Sequence, residues 1–194
     1  MTTATEDKPT FAARHSMDSD SWYTPSAFVE AARDVMGCID LDPASHEEAN
    51  RTVKAAKFFT EADNGLDQDW HGNVFLNPPG GLVNEFWRKL LREFLPEDGT
   101  VFQAIWIGYS LEQLQTLQRN AITPLNYPTC FTRQRIAFVE NTAKRSERIA
   151  KMIAAGKKPN EKSSPSHSNY ITYLGSEAGR ARFVDVFSRF GQVK

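Results

Sequence analysis

From Leu82 to Leu95 the apolar residues fall at 82, 83, 86, 87, 90, 91, 94 and 95, the i, i+3/i+4 stripe of a helix buried along one side. Two short apolar runs flank it. Val74-Phe75-Leu76 closes a strand predicted over residues 72–76, and residues 101–107 are nearly continuous in apolar side chains, as in a strand covered on both faces. An amphipathic helix between two buried strands restricts the chain to an α/β architecture, and the remaining sequence keeps the alternation.

Thr24 is placed to cap a helix with Pro25 at its first position, Phe28, Ala31, Ala32, Val35 and Met36 on one face, and Gly37 as its stop. A short strand over 38–41 and a helix over 47–57 are predicted next. Ser110 with Gln113 forms a capping-box pattern for a helix through Leu111, Leu114 and Leu117. Strands are predicted over 135–139 and 170–174, and a last helix carries Phe183, Val184, Val186, Phe187 and Phe190 up to Gly191. The order implies a largely parallel central sheet, with ligands beyond the carboxyl ends of its strands. Asp42-Pro43 and Asn77-Pro78 both sit at such ends.

With 194 residues and 40% hydrophobic content, one domain is expected over 22–194, after a polar arm at 1–21 that reads as disordered. No apolar run approaches the roughly 20 residues that cross a bilayer, and the arm has no secretory pattern, so a soluble, intracellular protein is expected. Cys38, Cys130 and the four histidines (15, 46, 71, 167) show no ligand spacing, which argues against a metal site.

Charge is unevenly divided. Residues 1–70 carry 6 basic and 14 acidic groups, residues 71–194 carry 17 and 10. Between 141 and 162, Lys144, Arg145, Arg148, Lys151, Lys157, Lys158 and Lys162 face only Glu147 and Glu161, either a solvated face or a phosphate-contacting one. The Lys-, Ser- and Pro-rich stretch 157–168 reads as a mobile loop, making 141–168 a basic, mobile segment.

Asn77-Pro78-Pro79 offers a specific chemistry. An exocyclic amine on a base is a poor nucleophile because its lone pair is delocalised into the ring. The Asn77 side-chain oxygen and the Pro78 carbonyl can each accept one N–H of such an amine, and the fixed φ angles of two prolines hold that carbonyl rigid. Taken alone, the tripeptide is equally a turn after a strand.

Its company is more specific. Trp22-Tyr23-Thr24-Pro25, Ile39-Asp40-Leu41-Asp42-Pro43-Ala44-Ser45, Ala49-Asn50, Asn64-Gly65-Leu66, Trp70 and Asn77-Pro78-Pro79-Gly80-Gly81 occur in order, followed by Gly108-Tyr109-Ser110-Leu111, residues 133–138 and Ser164-Pro165-Ser166-His167. The ordered set resembles the phage-type DNA N6-adenine methyltransferase (Dam-like) family, in a subgroup with Asn-Pro-Pro-Gly-Gly.

The resemblance implies an abbreviated Rossmann-like methyltransferase fold that uses S-adenosylmethionine, acts on double-stranded DNA and needs no metal. It implies a phage or prophage enzyme of the restriction-modification type, working in the cytoplasm of a bacterial host. Asn77, Pro78 and Pro79 would be catalytic. Tyr23, Thr24 and Pro25 would flank the methionine end of the cofactor, with Asp40, Asp42, Pro43 and Ser45 in the segment that receives its amino group, and Asp63 or Asn64 near its adenine. Trp22, Gly80, Trp87, Arg133 and Arg135 would belong to the substrate side.

Three departures qualify this. The Asp42-Pro43-Ala44-Ser45 turn lacks the glycines that let backbone approach a cofactor closely. Only 35 positions separate Asp42 from Asn77, too few for several βαβ units of roughly 30 residues, so the cofactor half must be short. The residue after Pro79, where an aromatic would stack on a flipped-out base, is Gly80; Phe86 or Trp87 is a candidate replacement, or both belong to the core stripe. Arg133 and Arg135 alternate ahead of Ile136, either meeting a phosphate or base or marking a polar sheet edge. Two other functions therefore stay open: a DNA-binding protein that has lost catalysis, and a methyltransferase acting on cytosine N4 or a glutamine amide. Oligomeric state and the recognised DNA sequence are not legible.

Overall fold

The computed structural model describes residues 22–159 and 167–194. The expected arm and residues 160–166 of the Ser/Pro-rich loop lie outside the described residues.

The chain begins with a two-residue strand β1 (Trp22–Tyr23) and helix α1 (Ser26–Met36), followed by β2 (Leu41–Asp42), α2 (Glu47–Val53) and β3 (Lys57–Phe58). Strand β4 (Gly72–Leu76) then leads through a 3-10 turn at Gly80–Leu82 into α3 (Val83–Phe94) and β5 (Val101–Gly108). Beyond these come α4 (Leu111–Leu117), β6 (Thr129–Thr132), β7 (Val139–Glu140), α5 (Thr142–Ala154), β8 (Tyr170–Leu174), α6 (Glu177–Phe187) and β9 (Gly191–Val193).

Seven strands form one mixed sheet in the order β3-β2-β4-β5-β8-β6-β9, while β1 and β7 make a separate antiparallel pair. The pairs β3/β2, β2/β4 and β4/β5 are parallel; β5/β8, β8/β6 and β6/β9 are antiparallel. The expectation of a largely parallel sheet is thus corrected. Helix α2 returns the chain to the amino end before β3, the turns of residues 59–71 do so before β4 and α3 does so before β5, which makes those strands parallel. After β6 the chain instead stays at the carboxyl end, where β7 pairs with β1, and it re-enters the sheet from that end as β8. That strand has to run the opposite way.

Each face of the sheet carries a core. Phe75, Ile105, Ile107, Ile171 and Tyr173 pack with α1 and α6 on one face; Val74, Leu76, Ala104 and Trp106 pack with α3 on the other. The α3 stripe buries Val83, Phe86, Trp87 and Leu90 as its spacing requires.

Several local expectations change. Residues 133–138 form no strand, although Ile136 and Phe138 are buried. Their alternation reflects packing on the α1/α6 core, and the Ile136 N–H donates to the Asn169 side chain at 2.7 Å instead of to a ladder. The α1 N-cap position falls on Pro25, without a side-chain bond, and the Thr24 hydroxyl does not cap. The helix predicted over 47–57 ends at Val53, because Lys54 turns left-handed (φ +50°) and the Asn50 side chain takes the Ala55 N–H at 2.9 Å. Within the basic segment, residues 142–154 form a helix. Strands β6 and β9 had no counterpart among the sequence-based elements.

Candidate active site

Strand β2 continues outward to β3, whereas its inner neighbour β4 continues to β5 on the other side. The chain changes direction between β2 and β4, and the carboxyl ends flanking such a switch point are left uncovered by their connections. Asp42 ends β2 and Asn77 follows β4, so both side chains are delivered to this crevice. A cavity of about 540 Å³ opens there, within the roughly 300–1,000 Å³ range of small-molecule sites.

Asp42 lines it at 3% exposure. Burial pushes its carboxyl up to about 7, because among the described residues no positive side chain compensates the desolvated charge. The Ala44 N–H, 3.2 Å from Oδ1, offsets this in part. The Ser45 hydroxyl lies close enough to favour the charged form, yet Ser45 Oγ meets no partner in hydrogen-bond geometry. Thr24 Oγ1 is likewise buried and unpartnered. Two orphaned hydroxyls and an uncompensated carboxylate around one cavity each cost free energy that a ligand with polar and cationic groups recovers.

On the other wall, Asn77 Nδ2 donates to the Trp22 carbonyl at 3.2 Å. A carbonyl only accepts, so the amide orientation is determined and Oδ1 remains as an acceptor. Pro78 and Pro79 are buried and line the same cavity. The Pro79 carbonyl accepts from Leu82 N at 3.0 Å, while no bond from a described residue reaches the Pro78 carbonyl. The site therefore presents two acceptors on a stiff turn, across from Asp42.

The mouth is closed by the β1/β7 pair and the start of α5. The Tyr23 hydroxyl accepts from Asn141 Nδ2 and its ring stacks on His46, 6.5 Å between centroids at 13°. Glu48 on α2 accepts from Thr142 Oγ1, from Thr142 N at 3.4 Å and from Asn141 Nδ2 at 3.3 Å, tying the α5 N-terminus to α2. Helix α5 has no buried residue, and Lys144 and Arg145 on it are exposed, as are Lys157 and Lys158 beyond it. The Arg148 guanidinium is engaged by Glu140, both contacts at 2.8 Å.

Of the residues singled out in the sequence, Trp22, Tyr23, Thr24, Asp42, Ser45, Asn77, Pro78 and Pro79 line this cavity. Others stand elsewhere. Asp40 points to the opposite end of the sheet, where Oδ2 accepts from Asn73 N at 2.8 Å and Asp40 packs against Gly72. Pro25 starts α1, and the Pro43 carbonyl packs against Gly65, where a Cβ would come within 1.9 Å of it. Asp63 accepts from the Thr60 N–H and hydroxyl at 2.8 and 2.7 Å, and those bonds hold its pKa below the usual carboxylate value; Asn64 bonds Asp67.

On the substrate side, Gly80 opens the 3-10 turn. Trp87 is fully buried, edge-on to Trp106 with centroids 5.0 Å apart, and Nε1 donates to the Ile122 carbonyl at 2.8 Å. That corrects the idea that its ring reaches a base, and Phe86 is equally buried, stacked on Trp70. Arg133 donates to the Ser188 and Arg189 carbonyls just past α6, at 3.0 and 3.4 Å, which makes it a C-terminal helix cap; Arg135 is exposed. Sequence reasoning missed His46, Glu48, Glu61 and Asn141, all of which line the cavity. His46 and Asn141 carried a signal, each as the polar residue preceding a helix.

A family model described as DNA N-6-adenine-methyltransferase (Dam) matches residues 12–155. Among curated proteins none matches the chain.

Proposed function

The chain belongs to the DNA N-6-adenine-methyltransferase (Dam) family, and from that premise we propose that it methylates adenine N6 in double-stranded DNA at Asn77-Pro78, with S-adenosylmethionine in the cavity beside Asp42. The observation that carries the proposal is the amide orientation of Asn77, held by the Trp22 carbonyl so that Oδ1 stays available as an acceptor.

The cavity residues fit the proposed donor. S-adenosylmethionine supplies a methyl group on a positively charged sulfur and brings a cationic ammonium. Asp42 would take that ammonium, which compensates the buried carboxylate, and the unpartnered Thr24 and Ser45 hydroxyls would meet its polar groups. Glu61, beyond the carboxyl end of β3 and 19 positions after Asp42, stands where an acidic side chain can bond ribose hydroxyls.

Asn77 Oδ1 and the Pro78 carbonyl would each accept one N–H of the target amine. Both bonds strengthen as the nitrogen lone pair leaves the ring π-system and positive charge develops on N6, so they stabilise the transition state more than the ground state. One N–H proton is then released to water. Lys144 lines the cavity and is suited to a phosphate flanking an extruded nucleotide, and the exposed Arg145, Lys157 and Lys158 are suited to phosphates further along the duplex.

The test incubates the protein with unmethylated plasmid DNA and methyl-labelled S-adenosylmethionine, followed by mass spectrometry of the digested nucleosides. Label in N6-methyladenine is expected. Label only in N4-methylcytosine, or none, overturns the reading.

A further inference from the structure

We propose that Glu48 is a positioning residue: it holds helix α5 across the cavity mouth, so that DNA and cofactor both meet the helix already docked. The inference rests on the reading of the cavity as the cofactor site and of Arg145, Lys157 and Lys158 as DNA-facing cations.

Helix α5 gains little from apolar burial. None of its residues is buried, and among the described residues no other element packs extensively against it. Arg148, Ile149 and Met152 are half-buried, and the rest of the helix is exposed. A segment with so few buried contacts belongs to the least stable part of a fold and opens locally at low cost. Its placement therefore depends on specific polar contacts.

The main one is at its start. Asn141 Oδ1 accepts from Lys144 N at 3.1 Å, but the first turn holds no acidic residue to meet the positive end of the helix dipole. Glu48 supplies that charge from α2. Its Oε1 accepts from the Thr142 hydroxyl, and its Oε2 accepts from Thr142 N at 3.4 Å and from Asn141 Nδ2 at 3.3 Å. Bonds to an ionised carboxylate are the stronger kind. Glu48 is itself anchored, because its N–H donates to His46 Nδ1 at 3.3 Å and the adjoining Ala49 is buried beside the cavity. One helical turn further along α5, Glu140 of β7 grips Arg148.

The docked helix serves two ligands. Asn141, Ala143, Lys144 and Glu147 form one wall of the cavity, and Arg145, Lys157 and Lys158 are exposed. When α5 swings away, the cavity loses that wall and the cations lose their place relative to Asn77. Both ligands therefore favour the docked helix. Glu48 keeps that state dominant in the wild type, so each ligand binds with little help from the other. Without Glu48 the docked fraction falls, and whichever ligand binds first docks the helix for the second.

Fluorescence anisotropy of a labelled, unmethylated plasmid fragment tests this, with and without saturating S-adenosylhomocysteine, for wild type, Glu48→Ala, Thr142→Val and the double variant. Glu48→Ala is expected to bind DNA roughly tenfold more weakly in the absence of cofactor. S-adenosylhomocysteine should recover most of that loss, while changing wild-type affinity little. The sign is informative, since removal of an acidic group near phosphates by itself strengthens DNA binding. Thr142 does not line the cavity and is exposed, so Thr142→Val loosens the same contact without touching the cofactor site and decides the result if the Ala variant folds poorly. It should show a smaller loss, also recovered by S-adenosylhomocysteine, and the double variant should be no worse than Glu48→Ala. Three outcomes overturn the inference: DNA affinity unchanged or tighter in both single variants, a loss equal with and without S-adenosylhomocysteine, or additive losses in the double variant. If the wild-type protein binds neither DNA nor S-adenosylhomocysteine, the functional reading falls and this inference with it; binding of both that is indifferent to Glu48 and Thr142 removes this inference alone.

Discussion

Replacing Asp42 with Asn separates the cost of a buried carboxylate from its proposed use. The carboxyl has an ordinary value of 3.8 and is raised to about 7 by burial. It therefore holds its proton more tightly in the folded protein than in the unfolded chain. The stabilising contribution is complete below about pH 4 and is lost as the pH rises through 7. At about 1.4 kcal/mol for each tenfold change in proton affinity, the loss is about 4 kcal/mol. For a chain of this size, that corresponds to about 8–16 °C in Tm. Asn is nearly isosteric, keeps an acceptor for the Ala44 N–H and does not titrate, so the other ionisable groups cancel in the difference between the two proteins. Thermal melts of the ligand-free proteins are expected to match near pH 4 and to diverge by pH 8, with Asp42→Asn the more stable. S-adenosylmethionine should reverse that order above pH 7, since its ammonium favours the charged carboxylate. A wild-type-minus-variant difference that stays flat from pH 4 to 8 refutes the assignment of Asp42 as a buried, uncompensated acid.

Asn77→Ala should reduce N6-methyladenine formation by about 10²–10³-fold or more while leaving Tm within a degree or two, read by mass spectrometry and calorimetry. Arg145→Ala, Lys157→Ala and Lys158→Ala should each flatten the salt dependence of DNA binding, by about 0.9 in the log–log slope for every phosphate no longer neutralised, without altering cofactor affinity. Trp87→Ala should destabilise the fold by about 3–5 kcal/mol in denaturant titrations, while Trp87→Phe keeps the wild-type KM for DNA, as expected of a core residue. Gly72→Ala should also lower stability, because φ is +74° there and a Cβ would meet Asp40 Oδ2 at 2.4 Å; relief of the defect by Asp40→Ala in the same background checks the clash.

Local pattern made parts of the fold legible. The α3 stripe, the β4 and β8 boundaries and the Ser110 cap follow from side-chain periodicity and short-range hydrogen bonding, which a sequence carries directly. The two polar positions closing β2 and β4 could be named because both follow apolar runs. Arg133 and Arg135 misled for a related reason: the alternation before Ile136 and Phe138 records burial against a core, and burial does not reveal whether the backbone bonds to a strand or to a side chain such as Asn169.

By itself, then, the sequence determined the α/β class, the central helix and strands, and the family through an ordered set of short motifs. Tertiary structure alone decided the mixed sheet, since strand direction depends on the end from which the chain re-enters. It also separated Asp42, which lines the cavity, from Asp40 two residues earlier, and it removed Trp87 from the substrate side by burying it beside Trp106. Glu48 and Glu61 gave no local signal. Their positions follow from segments distant in sequence converging on the carboxyl ends of the strands, and such juxtapositions exist only once the sheet has formed.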